Sequence, residues 1–202
     1  MTSPDGAAVA RLLALEPGQL PRADAQRNVR RLVAAARAAV AEVGVSVTAH
    51  EIARRAGLGI GTFYRRVPSR EALLEAVLAD LVDELVAAAG AGLADPDPWA
   101  GFTAFAATFA ELRAASCGVN QALAGQRGLD LGPPMAELRT QLRLLVERAQ
   151  LAGVLRADID WADVPFVLGG VVTDEHTIGL QAADQQWRRN LRIVLDGLRP
   201  RP

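Results

Sequence analysis

Thr48, His50, Thr62, Tyr64, Arg65, Arg66 and Arg70 crowd into one stretch, SVTAHEIARRAGLGIGTFYRRVPSREALLE, at residues 46–75. Hydroxyl, imidazole, phenol and guanidinium groups at this density can hydrogen-bond phosphate oxygens and the edges of bases. Other chemistry has little to work with. The chain has two histidines, His50 and His176, and one cysteine, Cys117, with only Arg113 as a nearby basic residue. No glycine-rich phosphate loop follows a strand-like segment, so catalysis has no visible machinery and no enzyme is expected. Asp174-Glu175-His176 combines metal-binding residue types. Consecutive helical positions are about 100° apart, however, so the three cannot converge on one ion, and neither metal nor cofactor is expected.

The elements that must position the first cluster are legible around it. Thr48 is a good helix N-cap, Glu51 completes a capping box, and Val47 and Ile52 stand where a hydrophobic staple would close. Ile52, Ala53 and Ala56 form a narrow apolar face, and Gly57 ends the helix in the left-handed conformation that side chains resist. The spacing predicts a second helix over Gly59–Arg66 that buries Phe63. Pro68-Ser69 then stops it and starts a long helix carrying Leu73, Leu74, Val77, Leu78 and Leu81.

This stretch resembles the DNA-binding domain of the TetR family of transcriptional repressors. The residues that carry the likeness are Thr48, Glu51-Ile52-Ala53, Ala56-Gly57, Gly61-Thr62-Phe63-Tyr64 and Pro68-Ser69-Arg70-Glu71-Ala72-Leu73-Leu74, with Ala23-Asp24-Ala25-Gln26-Arg27-Asn28 upstream. Val67 stands where the family usually has Phe, and Arg70 where Lys is common. The resemblance implies that the helix from Gly59 to Arg66 enters the major groove. Ile60, Gly61 and Thr62 would lie nearest the bases, Tyr64, Arg65 and Arg66 at phosphates or base edges, and His50 near a base. Thr48 and Arg70 would clamp the backbone at helix N-termini. Gly59 and Gly61 would keep the reading surface shallow. Double-stranded DNA with an inverted-repeat operator, a homodimer and a small-molecule effector are the implied partners, and repression relieved by that effector is the implied function.

Charge partition agrees without the resemblance. Residues 22–70 hold ten arginines against Asp24, Glu42 and Glu51, a net of +7; residues 71–202 hold eleven arginines against eighteen acidic residues, a net of −7. The whole-chain charge of −1 conceals this. A coding bias explains the complete absence of Lys but not the clustering of Arg.

The 202 residues suffice for a small domain and a larger one, and a hydrophobic fraction of 50% is ample for a buried core. No uncharged run approaches the roughly 20 residues needed to span a bilayer. Arg11 interrupts the first apolar patch, which argues against a secretory signal, and one cysteine allows no intrachain disulfide; the expected location is cytoplasmic. Residues 1–21 read as a mostly flexible arm, residues 22–70 as a helix-turn-helix domain and residues 71–202 as a helical ligand-binding and dimerisation domain, with 71–90 as the connecting helix. A first helix at about 24–43 braces the reading pair.

No strand-period segment of useful length appears, and the expected fold is all-α. Helices are expected at about 97–116, Asn120–Leu123 and Met135–Gly153, from Asp160 to about Leu180, and from Asp184 onward, with a loop over Gly125–Pro134. Leu144-Leu145-Val146-Glu147-Arg148-Ala149-Gln150, Gly153, Leu155-Arg156-Ala157-Asp158-Ile159 and Asp196-Gly197-Leu198 resemble the ligand-binding half of one TetR subgroup, which implies dimerisation through the last two helices. Trp99, Phe102, Phe105, Phe109, Met135, Trp161 and Phe166 are candidates to line a cavity, with Asn120, Gln121, Arg148 or His176 as polar contacts. An aromatic stripe at helical spacing also serves as plain core. A helical protein-interaction scaffold or a small-molecule-binding protein, in either case without operator recognition, is the competing reading.

Overall fold

The computed structural model describes residues 6–14, 23–125, 129–173 and 176–200. Expectations for the rest of the arm, for Arg22, for the loop centre at 126–128 and for Asp174-Glu175 lie outside the described residues. The fold is all-α, as the periodicity predicts. The chain divides into two compact units, 1–82 with 116–132, and 83–115 with 133–202. This partition differs from a break at residue 70: the first half of the long helix, and a segment from the middle of the sequence, belong with the N-terminal unit.

The first unit is built on α2 (Ala23–Val43), whose Val29, Leu32, Val33, Ala36 and Val40 are buried along one face. A 3-10 turn at Gly44–Ser46 leads to α3 (Ala49–Arg55), α4 (Ile60–Arg66) and the start of α5 (Arg70–Ala94). Within the expected arm, Gly6–Ala14 forms a helix, α1, that packs on α2 and buries Ala8, Val9 and Leu12. The amphipathic patch is short, and proline and glycine around it hide it from a composition argument. The segment 116–132 supplies α7 (Cys117–Leu123), which packs against α2 and the 3-10 turn. Gly118 permits this approach, since a Cβ there would fall 2.1 Å from a Val40 methyl.

The second unit takes the remainder of α5, α6 (Pro98–Ala115), α8 (Gly132–Leu151), α9 (Val164–Gly169) and α10 (Gln186–Leu198). The α5 and α6 backbones meet at Gly92 and Gly101, where a Cβ on either would strike the other's carbonyl. Arg148 binds the carbonyls of Gly92 (2.9 Å), in the last turn of α5, and of Asp95, just beyond it. The guanidinium of Arg199 lies 3.9 Å over the Trp99 ring.

One expected helix is wrong. From Asp160 the chain makes a 3-10 turn and the short α9, which ends at Gly169-Gly170, and then a two-stranded hairpin, β1 (His176–Thr177) with β2 (Leu180–Gln181). The hairpin turns on Ile178 (φ +43°) and Gly179 (φ +79°), both in the left-handed region that tight two-residue hairpin turns require. A β-branched residue there costs energy, so nothing in sequence preference announces the turn. The stretch that reads as one long helix is a 3-10 turn, a short helix and a hairpin.

Candidate nucleic-acid interface

The site grows from how α3 and α4 are started and stopped. The Thr48 hydroxyl accepts the Glu51 N–H at 3.2 Å, and Ile52 closes the first helical bond onto the Thr48 carbonyl at 3.0 Å. Gly57, at φ +62°, turns the chain so that the Leu58 N–H reaches the Ala53 carbonyl. Gly59 begins α4 with its carbonyl accepting from Phe63 at 3.1 Å. The Ser69 hydroxyl then caps α5 by accepting the Ala72 N–H at 3.0 Å.

Burial sorts this motif into two sides. Ile52, Ala53, Phe63 and Val67 are buried, so the Val67 side chain fills core where the resemblance implies Phe. Thr48, His50, Gly59, Gly61, Tyr64 and Arg65 are exposed, with Ile60, Thr62, Arg66 and Arg70 half-buried. Tyr64 is 57% exposed although its ring meets the edge of Phe63. Arg65 donates to the Thr62 hydroxyl at 3.2 Å. A Cβ on Gly59 or Gly61 would meet nothing within 4 Å, so this side of α4 is open backbone.

Two expectations change in detail. The capping box is half formed: Glu51 does not return to the Thr48 N–H but holds Arg54 (2.7 and 2.9 Å) and Arg55 (2.7 Å). Hydrogen bonds from Arg54, then Arg55, pull the Glu51 pKa from 4.5 down to about 2, and both guanidinium pKa values rise. Arg70, expected at phosphate, points into the unit instead. Its Nε donates to the Val47 carbonyl at 2.5 Å, one terminal nitrogen to the Val45 carbonyl and the other to Glu71 at 2.8 Å. A planar fork matched to two carbonyls has few donors left for a phosphate.

The residues expected to line an effector cavity differ in burial and in the elements that carry them. Phe102, Phe105 and Phe109 are buried on α6, and Trp99 is half-buried beside Phe102, with ring centroids 5.8 Å apart. Met135 and Trp161 are half-buried. Arg148 is occupied by the end of α5. Phe166 is 81% exposed and His176 lies on the exposed hairpin. Asn120 and Gln121 belong to the first unit. The break-up of the expected 160–180 helix puts Phe166 on α9 and His176 on the hairpin. Sequence reasoning also missed Asp80, a buried carboxylate on α5, and the contact made by Gln121. Both pair with chain far away in sequence, so local patterning carries no sign of them.

Two family models match the sequence. Bacterial regulatory proteins of the tetR family match residues 32–77, and the C-terminal domain of SbtR-like transcriptional regulators matches residues 97–200. Among solved structures, a TetR transcriptional regulator from Streptomyces coelicolor is 32% identical, covering 86% of this chain and 99% of its own, with a TM-score of 0.61. The TetR transcription regulatory protein from Mycobacterium vanbaalenii is 36% identical, covering 88% of this chain and 98% of its own, at 0.59. A ketosteroid transcriptional regulator of Mycobacterium tuberculosis, 21% identical over 90% of this chain and 97% of its own at 0.62, is similar in fold. No curated protein matches the sequence.

Proposed function

We infer a repressor released by a small molecule from a fixed premise: the chain belongs to the tetR family of bacterial regulatory proteins and is a DNA-binding transcriptional regulator. Helix α4 enters the major groove. Ile60, Gly61 and Thr62 meet base edges, His50 reaches a base from α3, and Tyr64, Arg65 and Arg66 meet phosphates or base edges. Thr48 meets the backbone where α3 exposes its first N–H groups. The observation that carries this reading is the sorting of the motif, with Phe63 and Ile52 inside and the polar, glycine-thinned side of α3 and α4 outside. Arg70 acts from behind, by holding the chain that enters α3.

The protein works as a homodimer on an inverted repeat, because two identical reading heads related by a two-fold axis require two-fold related half-sites. The second unit binds a small, largely apolar effector and carries no catalysis; the buried phenylalanines of α6 support an apolar environment there. An effector that prefers a dimer unable to span both half-sites lowers operator affinity, and operator then lowers effector affinity by the same factor. Its work is in the cytoplasm. Among the described residues no helix is long and apolar enough to cross a membrane.

Selection from a random duplex pool tests this directly. The expected product is an inverted repeat with half-sites about 34 to 36 Å apart, or a multiple of that. Unrelated or asymmetric sequences would overturn it.

A further inference from the structure

We propose that Gln121 is a positioning residue for DNA recognition, gripping the chain at Val45 from the side opposite Arg70 and so setting the pose of α3; this rests on the operator-binding reading above. The Val45 N–H donates to the Gln121 Oε1 at 2.7 Å, across 76 residues of sequence. The Val45 carbonyl accepts from Arg70. One residue of the connector is therefore held by two side chains, one from α7 and one from the head of α5.

The surroundings are built for this contact. Gly44 has φ +78°, and a Cβ there would fall 2.3 Å from the Gln121 Oε1, so glycine is needed both for the turn and for the amide to lie over it. Gly118 brings α7 onto Val40, and the buried Ser116 caps α7 by accepting the Val119 N–H at 3.2 Å. The first N–H groups of a helical turn have no partner within it, and Gln121 supplies one for the 3-10 turn at Gly44–Ser46. Val47 follows, with its carbonyl on Arg70, and then Thr48, which caps α3. The connector has little freedom left.

The two grips are unequal. Arg70 makes charge-assisted bonds to two carbonyls, whereas Gln121 makes one neutral bond, and charge-assisted bonds are roughly twice as strong. Arg70 is the fixed jaw and Gln121 the one that trims the angle. Loss of Gln121 should leave the unit folded and let α3, with His50 on it, wander from the geometry that specific contact needs.

The test compares wild type, Gln121→Met and Gln121→Glu on three readouts: amide hydrogen exchange at Val45, thermal unfolding, and affinity for the wild-type-selected operator against an unrelated duplex. Met keeps the side-chain length and removes the acceptor; Glu keeps an acceptor. In Gln121→Met, Val45 exchange should accelerate about tenfold, and operator affinity should fall about fivefold with unrelated-duplex affinity unchanged. Gln121→Glu should restore protection and the affinity ratio. An unchanged ratio in Gln121→Met, unchanged Val45 exchange, a lost ratio in Gln121→Glu with Val45 still protected, or outright unfolding of Gln121→Met would each overturn the assignment. A wild-type protein that selects no operator would instead fail the functional reading, while the Val45 exchange result would stand apart from it.

Discussion

The carboxylate of Asp80, on α5, accepts the backbone N–H of Ala8, on α1, at 2.9 Å, and so caps a helix 72 residues away. Its side chain is 3% exposed, and Arg11 and Arg37 pair with the same carboxylate. A buried carboxylate is tolerated only when its oxygens are occupied in this way. Asp80→Ala removes an N-cap and two ion pairs at once, leaving guanidinium groups that are partly wet and can recover some hydration. Stability to denaturant should fall by about 2 to 3 kcal/mol. Asp80→Asn, which can still accept from Ala8, should lose less. An Asp80→Ala protein within about 0.5 kcal/mol of wild type would show that α1 is not anchored this way.

Glu51 sets a pH dependence. Its folded pKa of about 2 lies below the ordinary 4.5 because Arg54, then Arg55, bond its carboxylate. A depressed folded pKa contributes stability that is fully present above the ordinary value and is lost as pH falls through the folded one. Wild type should therefore exceed Glu51→Gln in thermal midpoint at neutral pH. The gap should narrow from about pH 4.5 and close near pH 2. A gap that stayed constant over that window would remove the ion pairs as its cause. Glu51→Gln also frees the Arg54 guanidinium at the reading motif, while Arg55 keeps its pair with Glu42 at 2.7 Å, so affinity for unrelated duplex should rise and become more salt-sensitive.

Gly61 separates folding from recognition. Alanine has the higher helix propensity, and a Cβ at Gly61 meets no atom within 4 Å in the free protein. Gly61→Ala should therefore raise stability by about 0.5 kcal/mol. The same methyl group projects from the surface that approaches base edges, so operator affinity should drop at least about tenfold by overpacking of that contact. Tighter operator binding by Gly61→Ala would mean that α4 does not present this face to DNA.

The reading motif was legible because its signals are local. Thr48 as a cap, Gly57 as a stop, Phe63 as a plug and Ser69 as the next cap each depend on neighbours within a few residues. The contacts that hold the motif in place were not legible. Arg70 was expected to face phosphate because its charge and position at a helix head suit that role, yet two backbone carbonyls of the connector take its fork. Nothing in the spacing of Gln121 or Asp80 indicates a partner 76 or 72 residues away. The hairpin at 176–181 was missed for a different reason. Its apolar residues continue the helix-like run before it, and Ile178 occupies a conformation its side chain disfavours.

The exposed apolar residues of the second unit give the last prediction, which tests the homodimer. Leu151 at the end of α8 is 90% exposed, Phe166 on α9 81% and Ile193 on α10 71%. Single exposed hydrophobic residues are ordinary, but large side chains standing out from α8, α9 and α10 in one unit are what a self-complementary face requires. A two-fold interface uses each residue twice, so one substitution places two charges in it. Ile193→Glu and Phe166→Glu should each sediment as monomers at micromolar concentration, with far-ultraviolet circular dichroism unchanged. Operator affinity should fall by more than about 100-fold, because two half-sites no longer act through one linked molecule. Unrelated-duplex affinity should fall far less. If both variants remained dimers with intact operator binding, the two copies would meet through a different face and the exposed side chains of α9 and α10 would need another occupant.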